Sequence, residues 1–366
     1  MKTVVLGGYG NFGARICRAL ASSPGIELIV AGRDLNKASA LAGACGHGAA
    51  AARIDIHDPQ LAQTLRELGA KLVIHTAGPF QQQDYGTALA TAAAGAHYID
   101  LADGRRFVCD FPAALDDAFR RQNRLAITGA SSVPAMSSAV VDHLTAGWRS
   151  IASIDMCIAP AQTAPRGVAT MEAVLSYCGA PIQVWQDGRW TTQLGWAAPK
   201  TVAYARLRPR LASLCDIPDL ELFPAHYAGV QSVMFRAALE IGISQRGMAA
   251  LAGLRRIGLV PRPERFAALL NRAADGFNFL GSSLGGMVVR VHGLDANGVS
   301  AQRAWHIAAD HDHGPEIPCM AAVLLARRLA AGTLDKIGAV TSVGQLSLAE
   351  FEPEFGKWAM VTDLGE

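Results

Sequence analysis

Charge is scarce in this sequence: 17% of its 366 residues are Asp, Glu, Lys or Arg, against 51% apolar, and the mean hydropathy is +0.20. Such a chain is too apolar to stay disordered. Neither sign is in excess, with 33 basic and 31 acidic residues, so no global field draws the chain to nucleic acid or to an acidic membrane surface. Aromatics are few, at 7%, and alanine carries much of the apolar excess, which favours helices over sandwiches. Long hydrophobic runs are missing. A spanning helix needs about 20 apolar residues, and the best stretches, 86–96 and 321–331, are broken by Gly95 and by Arg327 and Arg328. The opening MKTVVLGGYGNFGARICRAL is interrupted by Gly7, Gly8, Gly10 and Gly13, which argues for a strand entering a helix and against a secretion signal. The seven cysteines are scattered and form no C-x-x-C. That excludes a disulfide framework or a structural zinc site and points to a reducing, cytoplasmic setting. No metal is expected.

What is present is a rhythm. At roughly 150 residues per domain the length suggests two domains. Over residues 1–130, short apolar runs (Thr3–Leu6, Glu27–Ala31, Ala52–Ile56, Leu72–His75, Tyr98–Leu101, Leu125–Thr128) alternate with helical segments, among them Phe12–Ala21, Leu35–Ala44 and Phe111–Gln122. Strands separated by helices predict βαβ units and a parallel, doubly wound sheet, buried on both faces. Ser131–Gly147 then predicts one helix, with Ser131 or Ser132 as cap and Pro134 in its first turn. Beyond it lie predicted hairpins across Asp187-Gly188 and Asp295–Gly298 and helices at 168–177, 248–257, 264–274 and 320–330. The expected class is α/β: a Rossmann domain at 1–130, completed by a helix at 315–332. An α+β substrate and dimerisation domain with a mixed or antiparallel sheet follows at 131–314. The tail 333–366 is unplaced.

Gly8-Tyr9-Gly10-Asn11-Phe12-Gly13 is the strongest motif. It follows a predicted strand and opens a predicted helix, the context in which G-x-G-x-x-G lets backbone approach a pyrophosphate at a helix N-terminus. Where NAD-binding folds place an acid at the end of the second strand, this chain has Gly32-Arg33. Arg33 can pair with a 2′-phosphate, and Lys37 adds charge, so NADP (as NADPH) is expected ahead of NAD. Asp34 is assigned to capping the next helix. Asp55, at the predicted end of the third strand, is placed at the adenine edge, with a solvated strand end as the equal alternative. His75, Thr76, Ala77, Gly78 and Pro79 should line the nicotinamide side, at the carboxyl ends of the strands.

Together with AGRD at 31–34, AGPFQQQDYG at 77–86, AHYIDLADGRRFV at 96–108 and GASSVPAMSSAVVDHL at 129–144, this loop makes the chain resemble the saccharopine dehydrogenase-like (saccharopine reductase) family of NADP-binding oxidoreductases. The likeness is clear over 1–145. It continues through CDIPDLELFP at 215–224, VQSVMFRAALE at 230–240 and GPEIPCMAAVLLARRL at 314–329. The bacterial branch without an assigned substrate is nearer than true saccharopine enzymes, since no set of basic residues is dedicated to a dicarboxylate. The resemblance implies a Rossmann domain, a substrate domain on a mixed sheet, and hydride transfer to a C=N bond of a small amino-acid-derived substrate at the interdomain cleft. Reduction of an enoyl or lipid-like substrate, or a non-catalytic NADP sensor, are the alternatives.

Hydride transfer needs placement and a proton source. Asp100, which matches the family's H-Y-x-D pattern, Asp103 and His75 are the candidate catalytic groups, each with a structural reading beside it. Ser131 is a candidate contact to the nicotinamide. Asp310-His311-Asp312-His313 has the look of a metal box but lacks a third ligand cluster, so a solvated loop is expected. Arg166 and the pair His226-Tyr227 have duller readings as helix entry and packing. The apolar run 251–260 is expected to be a buried helix, with an acyl-chain site or a membrane surface as the alternative, and the wider stretch 248–280 is where an oligomer interface, a greasy pocket or a membrane contact is to be sought. A homodimer is expected.

Overall fold

The computed structural model describes residues 1–197 and 199–365. They divide into two units, Met1–Met136 with Glu316–Leu346, and Ser137–Pro315 with Ser347–Glu366.

The first unit begins as alternating strands and helices. These are β1 (Lys2–Leu6), α1 (Asn11–Ala21), β2 (Glu27–Gly32), α2 (Leu35–Cys45), β3 (Ala50–Arg53), α3 (Leu61–Glu67), β4 (Leu72–His75), α4 (Gly86–Ala93), β5 (His97–Asp100), α5 (Arg105–Arg120) and β6 (Leu125–Thr128). Strands β1, β2 and β4 are buried almost throughout, because both faces of the sheet carry helices. Helix α1 turns Ile16, Cys17 and Leu20 inward.

The second unit contains α6 (Ser137–Leu144), β7 (Ser150–Ala159), α7 (Val168–Tyr177), β8 (Pro181–Gln186), β9 (Arg189–Leu194), β10 (Lys200–Val202), β11 (Arg210–Leu214), α8 (Asp219–His226), β12 (Ser232–Ala237), α9 (Gly242–Arg256), α10 (Ala267–Asp275), β13 (Gly285–Leu294) and β14 (Ser300–Ala309). The chain returns to the first unit for α11 (Ile317–Ala330) and β15 (Gly338–Thr341). It ends in the second with α12 (Leu348–Lys357) and β16 (Val361–Gly365).

The first sheet is parallel, in the order β15-β6-β5-β4-β1-β2-β3. Without β15 this is the doubly wound dinucleotide-binding order, whose strand direction of growth reverses between β1 and β4. Helix α11 packs on α1, and the Cys319 thiol donates to the Phe12 carbonyl. The second sheet is mixed, in the order β10-β11-β12-β7-β13-β14-β16, with the β8–β9 hairpin attached to β12. Only β12 and β7 pair in parallel along it. Its turns follow local chemistry: Asp187 and Gly188 both have φ near +60°, the two-residue hairpin conformation. Asp295 Oδ1 accepts from the Asn297 and Val299 amides.

Several expectations are corrected. The predicted helix 131–147 is broken. Val133, which precedes Pro134, is extended (φ −129°, ψ 128°), as a residue before proline prefers, so regular α-helix starts only at Ser137 and neither Ser131 nor Ser132 caps it. The unit boundary falls at 136/137 instead of 130/131. The unplaced tail splits, 338–341 adding a strand to the first sheet and 361–365 one to the second. Helix α5 starts six residues before the predicted Phe111, so Pro112 sits inside it. The run 251–260 is not a buried helix: α9 ends at Arg256, and of its residues only Gln245 and Ala252 are buried. Among the described residues no helix is long and apolar enough to cross a membrane.

Candidate functional site

Of the loops that leave the carboxyl edge of the first sheet, those after β1, β4, β5 and β6 carry most of the predicted residues. The β1 loop is shaped by glycine. Gly7 has φ +72°, and a Cβ on Gly8 would lie 2.8 Å from the Val5 carbonyl oxygen. A Cβ on Gly13 would collide with the Gly7 carbonyl and lie 2.8 Å from Thr76 Oγ1. Gly10 caps α1 with no side-chain hydrogen bond, and no acid stands in the first turn. This end of α1 therefore keeps its positive dipole uncompensated and admits close approach of an anion. Arg15 donates to the Asn11 carbonyl and to Asn11 Oδ1, both at 2.7 Å, and pairs with Glu316 at 2.9 Å. The start of α11 thus braces the loop.

At the end of β2 the Tyr9 ring lies over Gly32. A Cβ there would come within 2.8 Å of Tyr9 Cζ, and the Tyr9 hydroxyl accepts from the Asp34 amide at 2.9 Å. A side chain at position 32, acidic or otherwise, would have to displace the Tyr9 ring. Arg33, the next residue, is exposed. Asp34 caps α2, accepting from the Asn36 and Lys37 amides, and Lys37 Nζ stands 3.8 Å from its carboxylate. Asp55 lies two residues past the end of β3, exposed, and closes a local turn by accepting from the His57 amide.

The β4 loop is held from within. The Thr76 hydroxyl donates to the Leu6 carbonyl at 2.8 Å, which commits it to bracing β1. Gln83, not singled out from the sequence, donates to the Ala77 and Pro79 carbonyls at 2.7 and 3.0 Å and so fixes the loop containing Gly78. Its Oε1 then faces His75 Nε2 at 3.0 Å, which makes that nitrogen the donor. His75 is buried against Phe80 and Tyr98, and burial lowers its pKa to about 4, so it is neutral near pH 7. A buried neutral imidazole whose one N–H holds Gln83 supports the loop, in place of the proton-donor role considered above. Gln83→Ala should therefore lower stability by about 1–3 kcal/mol, read as a shift in the urea midpoint, because it strands His75 and two carbonyls.

Asp100 is buried at the end of β5. Its Oδ1 accepts from the Ala102 and Gly129 amides (3.0 and 2.8 Å) and from Thr128 Oγ1 (2.9 Å), tying the β5 and β6 loops together. Burial outweighs these bonds and raises its pKa to about 6. Asp103 differs. It is half-buried, accepts from Gln81 Nε2 at 3.0 Å, and burial raises its pKa. It is the more accessible of the two carboxyls. Ser131 is half-buried after β6, its amide donating to the Gly129 carbonyl at 2.7 Å.

The other predicted groups have structural partners in the second unit. Asp310 accepts from Ser283 Oγ, Asp312 from Thr163 Oγ1, and His313 Nδ1 lies 3.1 Å from the Trp358 carbonyl. Among the described residues no three His, Cys, Asp or Glu side chains are grouped to hold a metal ion. Arg166 pairs with Asp275, and Tyr227 donates to Asp142. The Arg15–Glu316 pair is a long-range contact without a local sequence signature, and Gln83 acts within its own loop through a fold-back that no motif marks.

The strand order, the glycine loop and the mixed second sheet define a two-unit protein with a dinucleotide-binding fold. More closely, the fold is that of saccharopine dehydrogenase. Over 100% of both chains the structure is similar to saccharopine dehydrogenase (L-Glu forming) from Saccharomyces cerevisiae, with a TM-score of 0.71 and 13% identity. It is also similar to homospermidine synthase from Legionella pneumophila, solved in complex with NAD, with a TM-score of 0.59 and 9% identity over 100% of this chain and 91% of the other. No family model and no curated protein matches the sequence.

Proposed function

We propose that the chain is an NADPH-dependent oxidoreductase that reduces the C=N bond of a small amino-acid-derived substrate. The observation that carries the reading is the uncapped start of α1 behind a loop whose glycines are tightly packed, beside the exposed Arg33 at a strand end where Gly32, under the Tyr9 ring, stands in place of an acid. The fold shared with saccharopine dehydrogenase, and with a homospermidine synthase solved with NAD, supports the same cofactor class.

Bound NADPH supplies a hydride to carbon; the protein's share is placement and one proton for the nitrogen. Gly8, Gly10 and Gly13 would let backbone approach the pyrophosphate at the start of α1, whose first turn holds Asn11 and Phe12. Arg33, with Lys37 nearby, would pair with the 2′-phosphate through a planar, always-charged fork. Ala77, Gly78, Pro79 and Ser131 would border the nicotinamide. Gln83 and Asp100 hold that border still. Asp103, whose carboxyl pKa is raised by burial and whose position is held by Gln81, passes a proton to the nitrogen.

Arg33→Ala is expected to weaken NADPH binding about 10- to 100-fold, the loss of one charge-assisted pair, and to leave NADH binding unchanged. Fluorescence titration of the two reduced cofactors reads both. Equal losses for both would remove the NADP assignment. Oxidation of NADPH against a panel of keto acid and amine pairs, cyclic imines and enoyl compounds tests the substrate class. Turnover of enoyl compounds alone would replace the C=N reading, and tight binding without any turnover would make the chain a sensor.

A further inference from the structure

The segment 242–281 in the second unit leaves apolar side chains on its outer face. Along α9 the outward positions Ile243, Arg246, Ala250 and Leu254 follow a three-and-four spacing, while the inward ones include the polar Gln245. Along α10 the outward row is Phe266, Leu269, Ala273 and Phe277, and the inward row includes Asn271. The connecting and following turns add exposed apolar side chains: Ile257 is 68% exposed, Leu259 69%, Leu269 64% and Phe279 81%. Isolated exposed leucines are ordinary; a contiguous run on two successive helices is not.

Charge says what covers it. The same forty residues contain six arginines and two acids, so they carry +4 in a chain whose total is +2, and the remainder of the molecule is net acidic. One acid, Asp275, is paired with Arg166. Arg255 donates to the Ser176 and Cys178 carbonyls and anchors the segment to the domain. Arg246, Arg256, Arg262, Arg265 and Arg272 are exposed among the apolar side chains. A two-fold contact between two copies would set this face against itself, arginine toward arginine. Apolar side chains framed by arginines suit a surface with negative headgroups above hydrocarbon.

We propose that residues 242–281 form a docking surface for an anionic lipid membrane, seating α9 and α10 in the headgroup region with Ile257, Leu259, Leu269 and Phe279 directed into the acyl boundary. The full-length protein should cosediment with vesicles of equal parts phosphatidylglycerol and phosphatidylcholine. It should bind at least about tenfold less to phosphatidylcholine alone, and high salt should release it. The triple variant Arg256→Glu/Arg265→Glu/Arg272→Glu should bind roughly 100-fold more weakly, since each charge lost near the surface costs several-fold. Leu269→Asn/Phe279→Ser, which changes no charge, should also bind more weakly. In both variants the circular dichroism spectrum, NADPH affinity and light-scattering mass should match wild type. Absence of vesicle binding by the wild type, or equal binding to neutral vesicles, overturns the proposal. So does a drop in light-scattering mass in either variant, which would make the surface a contact between copies.

Discussion

Gly13→Val should abolish dinucleotide binding. The added Cβ would collide with the Gly7 carbonyl oxygen and crowd Thr76 Oγ1. The first of these is backbone and has no rotamer to escape into. Either the start of α1 moves away from β1 or the Gly7 peptide turns, and each displaces the amides that would face a pyrophosphate. The expected loss in NADPH affinity is at least about 100-fold, near 3 kcal/mol, with a smaller fall in stability of about 1–3 kcal/mol from overpacking. Titration of the folded variant by calorimetry separates the two. Wild-type affinity in Gly13→Val would mean that the loop serves packing alone and would remove the basis of the cofactor assignment.

Asp219→Asn should raise stability at pH 8 by about 2–4 kcal/mol and leave it unchanged at pH 4. Asp219 opens α8 wholly buried, its Oδ1 accepting from Ser137 Oγ and its Oδ2 without a hydrogen-bond partner among the described residues. Burial lifts its pKa from 3.8 to about 7. Between those values the folded protein binds more protons than the unfolded chain, so stability falls as pH rises, and each unit is worth about 1.4 kcal/mol. Asparagine stays neutral and does not incur that loss. In the wild type the decline is masked. Asp100, raised to about 6, acts in the same direction, but His75 and His97, both lowered to about 4 by burial, act in the opposite one up to their ordinary value of 6.5. Urea denaturation of both proteins from pH 4 to pH 8 isolates the difference. A gap independent of pH would mean that Asp219 stays ionised throughout.

Elements with local causes were legible before the structure. The βαβ rhythm follows from buried strands that need no alternation, and the Asp187-Gly188 hairpin from residues that tolerate positive φ. Helix α7 and Asp34's capping role followed from similarly local signals. What escaped has distant causes. Strand β15 is four residues long, and its pairing with β6 spans more than two hundred residues. The helix predicted from Phe111 starts at Arg105, and α5 accommodates Pro112 in mid-course. The apolar periodicity of 248–280 located helices but could not say which face turns inward, since period alone carries no direction. At the site, the glycine loop and Arg33 were readable because they are contiguous. Gln83 was hidden because its role depends on where the β4 loop folds back, and the burial of His75 and Asp100 emerges only when helices cover the sheet.

The return of residues 316–346 to the first unit sets an order of events during synthesis. Strand β6 emerges from the ribosome with one edge bare, and Arg15 emerges with no Glu316 to meet. Both must wait while some 180 residues of the other unit are made. The dinucleotide-binding half begins folding first and finishes late, a high-contact-order arrangement that leaves an unpaired strand edge exposed in the interval. A nascent chain halted shortly after residue 136 should accordingly depend on chaperones in a way that one released after residue 346 does not.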